Sequence, residues 1–481
     1  MKILLVIPSR AFGQSPGYTK FPDELLSIAA SLEKHGHTVN LVDRNLDSIK
    51  PVDFIGYNPD IVGFSVATGP NIADALVQSA EFKSIFPNTK IVWGFRHPSA
   101  FPEQTLSEQA IDYVVIGAGE ETTAELADQL ENGINDPGSI KGLAYKNAQG
   151  RVIINEPRPF ILNLDELPDP AWHLIDVHRY TDITLNTSRG CPLRCTFCSD
   201  AFFYRGAQCE LSAERIVSQM ERLNREYAIN HLFFSGERFA LNRTRLKRFC
   251  QLVIEKNIKM TWSCPVASGL EDEDVALMAA SGCTSVLFEI ETGSQRMLDF
   301  LNKGNLLEME QTFWKLVNNK IIPTLFIMYG MPTEKVEDFN ESLSLIRRLD
   351  NPPYLYMKFV PFPNTKLFDY CVENSLIEPP VTMNNWVTFP LNCATVVNLS
   401  EVPPEMMEQA MTAFRKRYAT SRIRFMLKHN PSYFKNIVKN PREFSRAIKD
   451  LVRYYWNILL DAANGSESWL LKIKNKLKIS K

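Results

Sequence analysis

Ile183-Thr-Leu-Asn-Thr-Ser-Arg-Gly-Cys-Pro-Leu-Arg-Cys-Thr-Phe-Cys-Ser199 decides how this chain is read. A strand is predicted over Ile183–Asn186, and a C-x3-C-x2-C triplet follows it directly: Cys191, Cys195 and Cys198. Three thiolates within eight residues select one soft metal centre, a choice that carboxylates at this spacing would not make. Structural zinc takes four protein ligands, commonly as paired C-x2-C halves, and no second pair exists here.

Outward from the triplet, strand-like and helical runs alternate. Strands are predicted at Ile183–Asn186, His231–Phe234, Lys259–Ser263, Ser285–Ile290, Thr324–Met328 and Tyr354–Val360. Helices such as Ser212–Glu226 and Thr244–Lys256 separate them, which means β/α units with polar or glycine-rich sequence at the strand ends. The triplet, its Arg189-Gly190 lead-in and Phe197 closely resemble the motif of the radical S-adenosylmethionine (SAM) superfamily. That resemblance implies a 4Fe-4S cluster held by the three cysteines, with one iron left open for SAM. Electron transfer from the cluster would then cleave SAM to a 5'-deoxyadenosyl radical.

Four further stretches resemble that superfamily's elements. In Phe234-Ser-Gly-Glu237, Ser235, Gly236 and Glu237 would meet the SAM amino group; for Glu237 a surface turn is the competing reading. In Phe288-Glu-Ile-Glu-Thr-Gly-Ser-Gln295, Glu291 would lie near the ribose and Ser294 at a helix start. Met328-Tyr-Gly-Met-Pro-Thr-Glu334 would put Tyr329 and Gly330 beside the adenine. Val360-Pro-Phe-Pro-Asn-Thr365 carries Asn364 where glycine is usual, and asparagine is the next-best residue for a left-handed turn.

The N-terminal third reads as a doubly wound α/β domain. Strands are expected at Lys2–Ile7, Thr38–Val42, Ile61–Ser65, Lys90–Trp93 and Tyr113–Ile116. Helices are expected over Pro22–His35, Ile72–Phe82 and near Glu103–Gln109, giving a parallel sheet that binds ligands at its carboxyl edge. Pro8, Ser9, Ser65, Thr68, Gly94, His97, Gly117, Gly119 and Glu120 stand at those strand ends. No G-x-G-x-x-G follows the first strand, which disfavours a dinucleotide.

The stretches Gly94–Glu103 and Ile111–Thr122 resemble the cobalamin-binding domain that precedes many radical SAM cores. The family usually has Gly-Gly where Gly94-Phe95 stands, and an acid at Ala118. The D-x-H-x-x-G motif that supplies a histidine to cobalt is absent. His97 is therefore expected as a loop histidine hydrogen-bonded to backbone or to a corrin side chain, not as a cobalt ligand.

The expected organisation is a cobalamin-binding domain (1–140), a Pro- and Asp-rich linker (141–180), a partial (β/α)6 TIM-like barrel (181–370) and a mostly helical C-terminal domain (371–481). From Arg415 to Lys481 there are 17 Lys or Arg against four acids, a local charge of +13 in a chain of net charge −2. Such a basic, aromatic segment either caps the barrel or meets an anionic membrane surface, most readily through Trp469–Lys481. Nothing in it resembles a nucleic-acid module.

Nine sparse cysteines and an ordinary apolar fraction of 45% fit a reducing cytoplasm. The resemblance implies a C-methyltransferase at an unactivated carbon, using SAM, the cluster and methylcobalamin, with a flavodoxin or ferredoxin as electron donor. A small-molecule, lipid or peptide substrate is expected. Cobalamin-dependent cyclisation, oxidation or rearrangement is the alternative, and a non-catalytic cobalamin sensor fits the intact triplet less well.

Overall fold

The computed structural model describes residues 1–9, 20–204, 206–236, 239–266, 268–395 and 397–431. The first strand shows why the N-terminal sheet has two covered faces. Along Lys2–Ile7 (β1), Ile3 and Leu5 enter one apolar cluster and Leu4 and Val6 another. A strand buried on both sides needs a continuous apolar run, and this one has it. Parallel partners follow: Thr38–Asp43 (β2), Ile61–Ser65 (β3), Lys90–Gly94 (β4) and Tyr113–Val115 (β5).

Helix Asp23–Lys34 lays Leu25, Ala29 and Leu32 on the Ile3/Leu5 face, and Gly36 ends it at φ +87°. Helix Asn71–Ile85 covers the other face through Ile72, Ala75 and Phe82. The single helix expected near Glu103–Gln109 is instead two short ones, Arg96–Ala100 and Pro102–Ser107, broken where Pro102 takes a first-turn position.

The stretch 141–180, read from sequence as an irregular linker, holds a hairpin. Leu143–Lys146 (β6) and Val152–Ile154 (β7) pair antiparallel and extend the sheet beyond β5, in the order β2-β1-β3-β4-β5-β6-β7.

The second sheet starts at Thr184–Asn186 (β8). A two-stranded ribbon of Ser188–Arg189 (β9) and Cys209–Glu210 (β10) flanks the cysteine loop. His231–Ser235 (β11), Thr261–Val266 (β12), Cys283–Glu291 (β13), Ile322–Tyr329 (β14) and Tyr354–Lys358 (β15) complete six parallel strands in the order β15-β14-β13-β12-β11-β8. Among the described residues β8 and β15 stay unpaired with each other, so the sheet is open.

Leu185, Leu232, Phe234, Trp262, Phe288 and Leu325 face the helices and form the largest core. There Phe234, Phe239, Phe249 and Trp262 interlock with ring centroids 4.7–5.6 Å apart. Alternation then turns Asn186, Ser235, Glu289 and Glu291 to the opposite, inner face.

Two C-terminal helices pack on these layers. Met383–Thr395 lies on helix Asn71–Ile85, and Pro404–His429 lies on β15, with Phe414 4.8 Å from Tyr354. Most of the basic segment, including Trp469–Lys481, lies outside the described residues. No helix among the described residues is long and apolar enough to cross a membrane.

Candidate active site

The three motif cysteines lie in a half-buried loop between β9 and the short helix Asp200–Phe203. Gly190 makes its entry possible. It stands at φ +75°, and a Cβ there would lie 1.9 Å from the Ala207 carbonyl oxygen. Inside the loop Thr196 N–H donates to Leu301 O and Thr196 O accepts from Leu367 N–H, both at 3.0 Å. Asn302 Nδ2 donates to Arg194 O at 3.0 Å.

Among the described residues no three His, Cys, Asp or Glu side chains converge on a single-ion site. A four-iron cube holds its cysteine sulfurs further apart than one ion does, since each binds a different iron. Burial, with Asp200 beside it, pushes the Cys198 thiol up to about 12. Cluster assembly must therefore release that proton.

The residues read as SAM-binding divide. Phe197 carries the Lys303 ammonium 5.6 Å from its ring centre, and Lys303 Nζ in turn reaches Glu291 Oε1 at 2.7 Å and Glu289 Oε2 at 3.2 Å. Glu291 sits at φ +66°, where β13 and β14 shift register. Phe197 and Glu291 are thus joined at the strand end through a lysine that the motif reading missed. Its signal was local: Asn302 and Gly304 on either side of Lys303 are residues suited to a left-handed turn, and they take φ +53° and +132°.

Gly236, at φ +116°, packs so tightly on Ser188 that a Cβ would lie 2.6 Å from Oγ. Ser235 Oγ donates to Asp23 Oδ2 at 3.3 Å. Burial, with Glu24 beside it, pushes the Asp23 carboxyl up to about 7. Glu237 lies outside the described residues.

Ser294 stands at the start of helix Gln295–Leu301, as expected, and both Ser294 and Tyr329 have partners within the protein. Ser294 Oγ donates to Asp338 at 2.6 Å, and the Tyr329 ring stacks on Tyr356 at 4.5 Å in the helix-side core. Gly330 takes φ +74°, and its N–H donates to buried Glu334 at 2.5 Å. Asn364 adopts φ +60°, the left-handed turn its position called for.

On the other sheet, Ser65, Gly94, Gly117, Gly119 and Glu120 converge on one open cleft. It runs from the strand ends down to Gly63, and Asn186, Arg189 and Phe203 line its core side. A Cβ at Gly117 would meet nothing within 4 Å, so glycine there leaves open space at the strand end.

Phe95 stands in the cavity wall at φ +82°, ψ −161°, a region essentially reserved for glycine and costing about 1–3 kcal/mol. Its ring meets Phe203 at 6.4 Å and the Arg96 guanidinium at 5.6 Å. Pro8, Ser9, Thr68 and His97 are not part of this lining. Ser9 N–H donates to Asp74 at 2.7 Å, and the Pro8 carbonyl accepts from Asn45 at 3.4 Å. The Thr68 hydroxyl faces His97 Nδ1 at 3.3 Å.

His97 is fully buried beneath Trp386 and Phe101, with Nε2 3.4 Å from Met383 Sδ. Burial lowers its pKa to about 3, so the ring is neutral. His97→Ala is expected to weaken cobalamin binding by less than about tenfold, under ~1.4 kcal/mol. The spectrum should not change; a titration showing loss of nitrogen coordination to cobalt in the variant would contradict this placement.

Glu120 lines the cavity, yet its carboxylate pairs with Arg189 and accepts from Ser27 at 2.8 Å. Burial alone would raise that carboxyl; the guanidinium outweighs it and holds the group below its ordinary value.

These two sites are also where comparison with known proteins falls. The model for the B12 binding domain matches residues 10–127, and that for the Radical SAM superfamily matches 185–346. A Pyrococcus horikoshii protein named an uncharacterized methyltransferase is 30% identical over 473 residues, 95% of this chain and 99% of that one. The chain belongs to the cobalamin-dependent radical SAM enzymes.

The anaerobic magnesium-protoporphyrin IX monomethyl ester cyclase of Rubrivivax gelatinosus is 25% identical to this radical SAM enzyme over 76% of the chain and 69% of its own. The radical SAM methyltransferase TsrM of Kitasatospora setae, solved with cobalamin and a [4Fe-4S] cluster, shares the fold. Its TM-score is 0.67 at 19% identity, over 78% of this chain and 75% of that one. The cofactors of this radical SAM enzyme are a 4Fe-4S cluster, SAM and cobalamin. The residues present fit them: a thiol triplet on a glycine-entered loop, and an open cleft with glycine backbone at the strand ends of the other sheet.

Proposed function

We propose that this radical SAM enzyme is a C-methyltransferase acting on an unactivated carbon of a small molecule. One observation carries the reading. The glycine-lined cavity of the first sheet opens onto Arg189 and Phe203, the residues that flank the cysteine triplet of the second. When bound, the cluster with SAM supplies a hydrogen-abstracting radical, and cobalamin supplies a methyl carrier.

The chain's own residues do the positioning. Cys191, Cys195 and Cys198 hold the cluster. Lys303 orders Phe197 against Glu291 and Glu289. Gly236 and Gly330 bring backbone close to SAM. Gly94, Gly117 and Gly119 do the same for the corrin, while Phe95 and Phe203 exclude water between the two sites.

In this reading the open six-stranded sheet is a partial barrel of six β/α units. The cobalamin-binding unit extends through the hairpin to residue 154, and residues from 371 onward form a helical cap. A flavodoxin or ferredoxin supplies electrons. The Pyrococcus horikoshii relative supports methyl transfer. The Rubrivivax gelatinosus relative supports a second reading, ring closure without methyl transfer.

Anaerobic incubation with deuteriomethyl-labelled SAM and cell extract separates the two by mass spectrometry. A product carrying the deuteriomethyl group is expected. Formation of 5'-deoxyadenosine with an unlabelled, hydrogen-depleted product would select the second reading.

The basic tail is further proposed to touch anionic membranes. Lys472, Lys474, Lys476, Lys478 and Lys481 each contribute on the order of 1 kcal/mol near such a surface, screened by salt. The full chain should sediment with anionic vesicles at low salt and a truncation at Gly465 should not. Equal sedimentation would remove the membrane reading.

A further inference from the structure

Among the polar contacts that cross from the cobalamin-binding sheet to the core, those of Arg96, Glu120 and Asp23 reach stretches read above as cofactor motifs. Arg96 Nη1 lies 2.5 Å from Asp200 Oδ1 and 3.1 Å from Ser199 Oγ, immediately after Cys198. Glu120 pairs with Arg189, two residues before Cys191. Asp23 accepts from Ser235 of the SAM motif at 3.3 Å. The cysteine loop is thus bracketed by two ion pairs of opposite polarity, with the first sheet providing the cation on one side and the anion on the other.

The first-sheet ends of both brackets belong to the corrin cavity. Glu120 lines it directly. Arg96 follows Phe95, whose ring lines it and whose backbone is held in a glycine-type conformation. The Arg96 guanidinium is also 5.3 Å from the Phe203 ring centre, so it sits between an aromatic ring of each domain while bonded to the cysteine loop. A group clasped in this way transmits a shift of the 94–96 turn to residues 199–200.

We infer that Arg96 is a positioning residue that couples the corrin cavity to the cysteine loop, so that filling either site favours filling the other. The inference rests on the assignment of the two cofactor sites made above. Corrin seated against Gly94 and Phe95 fixes the turn that carries Arg96. Cluster assembly fixes the loop that Arg96 grips. Such coupling is reciprocal, and its usual size is roughly 5- to 150-fold in affinity.

The experiment is a hydroxocobalamin titration of the full chain, cluster-free and cluster-reconstituted, followed by absorbance. Arg96→Ala and Asp200→Asn approach the clasp from its two ends, and iron content is measured alongside. Wild-type protein is expected to bind hydroxocobalamin about tenfold tighter once the cluster is in place. In both variants the ratio should fall to within about twofold while iron stays at the wild-type level. A tenfold ratio that persists in both variants, or a ratio near one in the wild type, overturns the coupling and leaves the site assignment standing. Wild-type protein that binds no hydroxocobalamin in either state overturns both.

Discussion

Replacing any one of Cys191, Cys195 and Cys198 by alanine should remove the cluster and SAM cleavage together. In the proposed assignment each thiolate binds its own iron, and no other cysteine is expected to step in. The remaining six are buried in strands, helices or the ribbon, most of them in the helix-side cores. Anaerobically reconstituted wild type should hold about four irons per chain and form 5'-deoxyadenosine. Each variant should fall to background on both measures. A variant that kept full iron would show that its cysteine is not a ligand.

Gly190→Ala comes next in size. The obstruction is backbone, the Ala207 carbonyl 1.9 Å from the added carbon, so no side-chain rotation relieves it. The substitution also forces a non-glycine residue to φ +75°. The loop between β9 and β10 must open, which parts the ribbon pairing of Arg189 with Cys209. A loss of more than about 3 kcal/mol is expected, measured by thermal unfolding of the cluster-free protein. Cluster uptake should drop several-fold at matched protein concentration. Normal stability and iron content would mean that the ribbon adapts where the geometry says it cannot.

How far the sequence could be read follows from where each interaction partner lies. The continuous apolar run in Lys2–Ile7 and the run Ser285–Ile290 placed strands because burial leaves a local imprint. The glycine-bearing strand ends were legible for the same reason, and Ser65, Gly94, Gly117, Gly119 and Glu120 do share a cavity. The fates of Glu120, Ser294 and Tyr329 were not legible. Their partners Arg189, Asp338 and Tyr356 are 69, 44 and 27 residues away, and no motif records such pairings. The hairpin Leu143–Ile154 escaped because strands of four and three residues are too short to show a period. Lys303 escaped because its meaning comes from Phe197 and Glu291, which only the fold brings to it.

The contrast between the two groups of cysteines has a chemical consequence for handling the protein in air. Cys209, Cys250, Cys264, Cys283, Cys371 and Cys393 are at most 7% exposed, and burial pushes the thiols of Cys250 and Cys393 up to about 12 and that of Cys371 to about 11. Oxidants and alkylating agents act on accessible thiolates, so burial shields these six. The part-exposed trio Cys191, Cys195 and Cys198 is the accessible group when the cluster is missing, with the reactivity of Cys198 lowered because its thiol is pushed up to about 12. Oxygen damage to the cluster-free chain therefore falls first on the cysteine triplet, and a chain that still looks folded by every bulk measure can have lost the capacity to be rebuilt.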